Sequence, residues 1–585
     1  MNKLKNIKIQ RRQIESLYDL FKARVDDTPL DIAYGYFNND SKTWINVSWT
    51  EVFKRFLSVR NALASENLLT GDRILLALPN GIDWIIIEQA AHYLGLVVVA
   101  LPNSESAARI NHIIDDTETK IVFIANDACR ETIQSHISAQ NLNTKLISLD
   151  ERKSHSDTTY FHSWIAIKHH HSTEKPTISQ HSLATIIYTS GTTGKPKGVM
   201  HTHDSLLNNA FACIEKIKIT HADRLLSITP ISHIMERVAG YYVPMITGAS
   251  VFFSKKPETI IEDLQQTNAS ILITTPHTLD CAFNQVLSEY PFFQKTITQF
   301  IDYQNGQGKH LIKYLMWPLI QKLLSRKIKK HYIGNLNQIF CGGANLSSTL
   351  ITASKSLNIP LLQGYGLTEA GGIVSVNTPD QQQIKSVGQP LKNASIELSN
   401  ENEIIIKNDS LMTGYWRDEK LTQQCLIDGK LHTDDLAYLD RSYIHLTGRK
   451  SEQLQLSNGK KVSPQPIEDT ILADRLFKNV SLYGESREKL TLVCQLCTKG
   501  WIEFLTNNNV SEDLTNARKR TLLSVRINTL LKKLPDHHFI DYILPTFDSW
   551  DTENGLLNAQ GKVNRHNVES FYSRELKKIY EGSKD

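Results

Sequence analysis

The sequence predicts an α/β protein with a small β region and an α+β C-terminal part. Three observations predict it: strands and helices alternate over residues 71–127, the alternation resumes over 182–375, and short strands separated by turn residues take over from Val387 to Gly448. With 585 residues the chain has room for several structural units.

In the first segment, GDRILLALPNGIDWIIIEQAAHYLGLVVVALP (71–102) reads as an apolar strand, a turn, a helix and a β-branched strand, and KIVFIAND (120–127) adds another strand. Residues 152–181 are polar and His-rich, with Lys168, His169, His170, His171 and Pro176 and no period, which predicts a loop. No carboxylate or cysteine completes a ligand set around the histidine triplet, so a solvated loop is expected there. ATIIYTS, VFFSKK, ILITT, QIFCGG and PLLQGYG supply the strands of the second segment, and ASIEL, EIIIKN, LAYLD and YIHLTG those of the β region. After Arg449 an α+β pattern runs on with no internal repeat.

Composition excludes several classes. Hydrophobic residues are 41% and charged residues 22%, as in an ordinary folded protein. Lys and Arg total 65 against 61 Asp and Glu, and a net charge of +4 gives no bulk electrostatic case for nucleic acid. The seven cysteines are scattered, which argues for a reducing compartment, and Cys494 and Cys497 form a lone C-x-x-C in a strand-like run that suits core packing. The basic start MNKLKNIKIQRRQ has no apolar stretch after it, and Trp84–Leu101 is interrupted by Glu88, Gln89 and His92. A cytoplasmic chain is expected.

The sharpest local signal is Tyr188-Thr-Ser-Gly-Thr-Thr-Gly-Lys-Pro-Lys-Gly198, placed after the strand ATIIY and before a predicted helix, DSLLNNAFACIEKI. Its glycines let backbone N–H groups approach phosphate oxygens, Thr189, Ser190, Thr192 and Thr193 can donate, and Lys195 and Lys197 carry charge. Pro196 after Lys195 and the glycine spacing rule out a Walker A loop. A flexible polar loop remains the other reading of this segment taken alone.

YTSGTTGKPKGV resembles the phosphate-binding signature of the adenylate-forming superfamily, which includes acyl-CoA synthetases, adenylation domains and luciferases. The resemblance implies ATP binding by Thr189, Ser190, Gly191, Thr192, Thr193, Gly194, Lys195 and Lys197. Gln363-Gly-Tyr-Gly-Leu-Thr-Glu369 is similar to the second ATP segment of that family, which puts Tyr365 on adenine beside Gly366, Thr368 at the α-phosphate and Glu369 on Mg²⁺. A carboxylate beside phosphate is repelled unless a hard cation bridges them. Gly343 in QIFCGG joins the same nucleotide site by resemblance. HTDDL (432–436) and LTGRK (446–450) resemble the segments carrying the ribose-binding Asp435 and Arg449, and an Asp can accept from both ribose hydroxyls. Gln560-Gly-Lys-Val-Asn-Arg565 resembles the ending whose lysine, here Lys562, serves adenylation.

PISHIMERV (230–238) looks like a segment of the long-chain acyl-CoA synthetase branch and puts His233 at the acyl and thiol path, although a lone His in an apolar stretch is as readily a core residue. SNGKKVSPQP (457–466) resembles the C-terminal loop where Gly459 lets a pantetheine arm pass. The chain departs from that branch at three places. Leu279 stands where relatives carry the aromatic that gates the fatty-acid tunnel, Asp434 where they carry glycine, and Ser451 where they carry Asp or Lys at the hinge. Asp434 suits a left-handed turn but adds a carboxylate beside the nucleotide, so Asp434→Gly is expected to lower the KM for ATP.

The resemblance implies a large N-terminal domain (1–448) of two α/β subdomains plus a small β subdomain, and a small mobile α+β domain (449–585). It also implies ATP and Mg²⁺ use and a fatty, medium- to long-chain acid passed through acyl-adenylate to CoA. An acyl-carrier-protein synthetase and a non-catalytic nucleotide or acyl binder are the alternatives. Residues 309–331 hold seven Lys and Arg and no acid among apolar residues, a pattern suited either to peripheral contact with the inner face of an anionic membrane or to an ordinary surface helix.

Overall fold

The computed structural model describes residues 9–150, 158–167, 176–190, 196–288, 332–343, 359–474, 476–508, 514–532, 539–551, 553–557 and 563–581, with isolated positions between them. The chain divides into two compact units, one of Met1–Ala344, Ala353–Glu397 and Ile405–His432, the other of Asn345–Thr352, Leu398–Ile404 and Thr433–Asp585.

The first unit contains an eight-stranded and a nine-stranded sheet. In the eight-stranded sheet, Arg73–Leu78 pairs in parallel with Val97–Pro102 and Ile121–Ile124, and Val97–Pro102 pairs in parallel with Leu183–Ser190. Strands covered on both faces read as unbroken apolar runs, as RILLAL and VVVAL do. Ile74, Leu76 and Leu78 enter a core shared with helices Leu17–Asp27, Trp49–Ala64, Ile82–Tyr93 and His203–Lys216. Leu75 and Ala77 face the opposite way, onto helices Ala107–Thr117 and Asp127–Ala139. Helix Ile82–Tyr93 is apolar nearly all round because it is buried nearly all round. Among the described residues no helix is long and apolar enough to cross a membrane.

The predicted alternation is present, but its two runs interleave. Strands Leu183–Ser190 and Pro196–Thr202 complete the first sheet, while the nine-stranded sheet draws Ile32–Asn38 and Thr43–Ser48 from the N-terminal region to one edge. Pairing distance along the chain is invisible to a periodicity reading. Residues 152–181 also depart from a plain loop: Thr159–Tyr160 is a strand and Phe161–Ala166 a short helix. Phe161 and Trp164, three apart and hence on one helical face, pack on Phe123, and Trp164 donates to Glu66 at 2.7 Å. The histidine triplet, and 309–331 apart from Lys322 and Arg326, lie outside the described residues.

Two buried polar links hold the sheets in register. Arg237 lies 3.5 Å from Glu88 with both side chains fully buried, donates to Thr185 at 2.8 Å and stacks over Trp84, while Tyr242 donates to Glu88 at 3.0 Å. An ion pair with no water around it fixes geometry, because displacing either partner leaves an unpaired buried charge. The second link is His201, on strand Pro196–Thr202, whose Nε2–H donates to the Thr368 carbonyl oxygen at 2.7 Å. Nearly two turns into the following helix, Asn209 accepts from the Ile373 N–H at 3.0 Å and donates to its carbonyl at 2.8 Å. Hairpin 183–202 of one sheet is thereby bound to hairpin 361–376 of the other.

The second unit is α+β, as its sequence predicts. Strands Phe477–Tyr483, Thr491–Leu496 and Tyr542–Thr546 form a sheet, and helices Pro464–Leu472, Thr498–Asn507 and Asn516–Leu531 share its core. Cys494 is buried in the central strand, where burial pushes its thiol up and keeps it protonated.

Burial lowers His201 from its ordinary 6.5 to about 4, so the folded chain keeps a neutral imidazole that the unfolded chain protonates. A depressed folded value means stability is full above about pH 6.5 and is lost as pH falls towards 4, by about 3 kcal/mol for this group. Denaturant titrations at pH 7 and pH 4.5 should therefore show the wild type losing more stability than His201→Gln, whose amide stays neutral; equal losses would contradict this.

Candidate active site

Residues 191–195 connect two antiparallel strands, Leu183–Ser190 and Pro196–Thr202, in which Tyr188 faces Gly198, Thr189 faces Lys197 and Ser190 faces Pro196. Strand Pro196–Thr202 therefore stands between this segment and helix His203–Lys216, which covers most of the predicted DSLLNNAFACIEKI helix. Helix His203–Lys216 is instead capped by Thr202, whose hydroxyl accepts from the Ser205 N–H at 3.1 Å. Gly191, Thr192, Thr193, Gly194 and Lys195 lie outside the described residues; Thr189 and Lys197 mark their two ends.

The second segment forms the hairpin Leu361–Leu367 with Gly372–Val376, bulged between Tyr365 and Gly366. Gly366 cannot be replaced there, since a Cβ would sit 2.0 Å from the Gly372 carbonyl oxygen. Tyr365 is buried opposite Ser375, and the chain turns at Thr368 and Glu369, both half-buried. His201 fixes the backbone of Thr368. Because a carbonyl only accepts, Nε2 must carry the proton, and Nδ1 faces the Ser205 hydroxyl at 3.1 Å. Glu369 is held twice: its carbonyl accepts from the Met412 N–H at 2.9 Å, and its Oε1 accepts from the Tyr415 hydroxyl at 2.8 Å. Lys197 Nζ lies over the Tyr415 ring, 5.6 Å from its centre. The structure thus brings Lys197, Thr368 and Glu369 into one cluster through two residues, His201 and Tyr415, that motif reading missed. The sequence signal for Tyr415 was its place in a Gly-Tyr-Trp run, and for His201 its place in His201-Thr-His-Asp204, which fits neither a triad nor a metal site.

This donor set fits Mg²⁺. Tyr415 takes Oε1, which leaves Oε2 to meet a cation, and Mg²⁺ takes few carboxylates and completes its shell with phosphate oxygens and water.

His233 lies in the loop before the helical segment Glu236–Tyr242, half-buried, and burial lowers its pKa so that it stays neutral. Asn80 holds that loop, donating to the Thr229 carbonyl at 2.7 Å and accepting from the Ile231 N–H at 2.8 Å. Gly343, with φ +86°, follows strand Gln338–Cys341. Leu279 is buried in helix Pro276–Ser288, and burial pushes the neighbouring Asp280 up to about 6.

In the second unit Asp435 and Arg449 are opposite each other in a hairpin, and Arg449 Nε donates to Asp435 Oδ1 at 2.9 Å. Asp434 adopts φ +65°, the left-handed turn its sequence position called for. Its carboxylate accepts from both the N–H of Ser451, at 3.0 Å, and the Ser451 hydroxyl. The glycine-to-aspartate and hinge-to-serine departures are therefore one interaction. Gly459 sits at an exposed turn between strands Leu454–Gln455 and Lys461–Val462. Lys562 lies outside the described residues, but both its flanks are anchored: Leu557 bridges to Val563, and Arg565 pairs with Glu468 at 2.9 Å and donates to the Leu482 carbonyl at 2.6 Å.

The sequence matches a family model described as AMP-binding enzyme over residues 21–416, and one described as AMP-binding enzyme C-terminal domain over 451–584. It is 25% identical to long chain acyl-CoA synthetase 5 of Arabidopsis thaliana, over 98% of this chain and 93% of that protein. Fatty acyl-CoA synthetase B of Dictyostelium discoideum is 23% identical, over 91% and 85%. Among solved structures, the anthranilate CoA ligase AuaEII in complex with anthranoyl-AMP superposes with a TM-score of 0.75 at 16% identity, covering 97% of this chain and all of that one. O-succinylbenzoate coenzyme A synthetase of Bacillus subtilis, in complex with ATP and magnesium, gives 0.70 at 18% identity over 94% and 99%. With both family models matched in order and the fold shared end to end, this chain belongs to the AMP-binding enzyme family.

Proposed function

We propose that this chain is an AMP-forming ligase that activates a fatty, medium- to long-chain carboxylic acid and transfers the acyl group to CoA. The observation that carries the reading is the cluster of Lys197, Thr368 and Glu369 around the strand that leaves the glycine-rich segment, in a chain whose full-length relatives are named as long-chain acyl-CoA synthetases.

In the first step a carboxylate oxygen of the acid attacks the α-phosphorus of ATP, the bond to the bridging oxygen breaks, and pyrophosphate leaves with the acyl-adenylate still bound. Lys197 and the 189–198 backbone meet the phosphates, Thr368 the α-phosphate, and Tyr365 the adenine, with Asp435 and Arg449 on the ribose. Glu369 would hold Mg²⁺, which would supply positive charge to the phosphate oxygens. Lys562, by its place in the Gly-Lys-x-x-Arg motif, would stabilise the negative charge that carboxylate and α-phosphate share in the transition state. The second step proceeds from the bound acyl-adenylate, and Lys562 takes no part in it. The CoA thiol then enters past Gly459 and His233 and attacks the acyl carbonyl as a thiolate, giving thioester and AMP. Both steps exclude water, which would otherwise hydrolyse the adenylate.

Release of pyrophosphate and AMP with a series of C2 to C18 acids, with and without CoA, tests this reading. AMP release that depends on chain length and requires CoA is expected, and release only with a carrier protein, or none with any acid, would contradict it. Lys562→Ala should lower acid-dependent pyrophosphate release by about 10²–10³-fold while leaving thioester formation from supplied acyl-adenylate in place; equal loss of both would contradict the division of labour. The tie between Asp434 and Ser451 changes the expectation for Asp434→Gly. Since the carboxylate is engaged at Ser451, Asp434→Gly and Ser451→Ala should change CoA-dependent turnover by one common factor, with no further change in the double variant and an unaltered KM for ATP. A lowered KM in Asp434→Gly alone would mark the carboxylate as a nucleotide neighbour instead.

A further inference from the structure

Lys197 and Glu369 carry opposite charges and share a neighbour, Tyr415. Left to themselves, such groups pair, and each must then be pulled from the other before it can serve a ligand. Tyr415 occupies both: its ring face lies under Lys197 Nζ, 5.6 Å from the ring centre, and its hydroxyl donates to Glu369 Oε1 at 2.8 Å.

The ring is held rigidly. Tyr415 pairs with Val199 and Gly414 with Met200, the Thr413 N–H donates to the Met200 carbonyl at 3.0 Å, and the Trp416 N–H donates to the Gly198 carbonyl at 2.7 Å. The Tyr415 N–H donates to the Thr422 hydroxyl at 2.9 Å, and the ring itself is buried. Every flanking residue is thus bound to the strand that bears Lys197 or to the turn after it. A phenol is protonated at neutral pH and a carboxylate oxygen only accepts, so the hydroxyl is the donor in this contact.

We propose that Tyr415 is a positioning residue for metal-bound ATP: it holds one oxygen of Glu369 so that the other meets the cation singly, and it keeps Lys197 off that carboxylate. This rests on the reading of Glu369 as the metal-binding residue. A carboxylate with one oxygen already accepting a hydrogen bond is biased towards single-oxygen contact, which suits the regular octahedral shell of Mg²⁺ better than the larger, looser shell of Ca²⁺. The cation–π contact is weak enough for a phosphate to displace, so Lys197 stays available.

Tyr415→Phe keeps the ring and removes the hydroxyl. Calorimetric titration of ATP with Mg²⁺ and with EDTA, together with the Mg²⁺ concentration giving half-maximal pyrophosphate release, reads the effect. The half-saturating Mg²⁺ concentration should rise on the order of tenfold, the size expected for one lost hydrogen bond to a charged group, while metal-free ATP binding keeps its wild-type affinity. In a Glu369→Gln background the same substitution should add nothing. Unchanged Mg²⁺ dependence in Tyr415→Phe, or an equal loss of metal-free binding, would overturn the proposal with the metal reading intact. Wild-type ATP binding indifferent to Mg²⁺ would overturn both.

Discussion

Two hairpins from different sheets have to meet for this site to exist, and one buried imidazole joins them. His201 lies in strand Pro196–Thr202, and its ring reaches the Thr368 carbonyl at the turn of hairpin 361–376. That carbonyl accepts from the Gly371 N–H within its own turn at 3.1 Å and from His201 across to the other hairpin, so His201 is the donor that ties the two together. Burial keeps the ring neutral, so the link persists across the physiological pH range. Asn209 repeats the device from the following helix with a two-way bond to Ile373, and Tyr415 closes the third side on Glu369. The placing of Lys197 relative to Thr368 and Glu369 follows from these few polar contacts. The apolar core beneath supplies most of the cohesion, but hydrophobic packing is non-directional and would tolerate a slip that the hydrogen bonds do not.

The second unit uses the same economy of means. Arg565 clamps the chain just after Lys562 through Glu468 and the Leu482 carbonyl, and the Leu557–Val563 bridge closes the other side. Asp434 and Ser451 fasten the ends of the hairpin that pairs Asp435 with Arg449. Two residues that look like separate departures from a family pattern are, in space, donor and acceptor of one contact. A glycine there would leave the turn free, whereas an aspartate ties it down.

Much of the fold was legible from local pattern. ILLAL, VVVAL and IVFI are buried strands because nothing in them tolerates water on either face, and the Gly-rich and Gly-Tyr-Gly segments point to nucleotide chemistry by residue type and order. What was not legible is whatever depends on pairing across long sequence separations. The strands flanking 191–195 join the sheet of residues 73–124, and strands 32–48 join the other sheet, because register is set by neighbours in space. His201 and Tyr415 escaped notice for the same reason: each acts through a partner far along the chain, at 368 and 369, that no motif window contains. Phe161 and Trp164 were hidden in a polar stretch whose composition outweighed two aromatic anchors.

The central claim is that the His201 link makes the two hairpins one nucleotide-binding surface, and binding of ATP to His201→Ala measures it most directly, with His201→Gln as the donor-retaining control. The account predicts that His201→Ala stays folded at pH 7 but binds ATP on the order of tenfold more weakly, the cost of one buried donor, with the glutamine variant recovering part of the loss. Wild-type affinity in His201→Ala would contradict it.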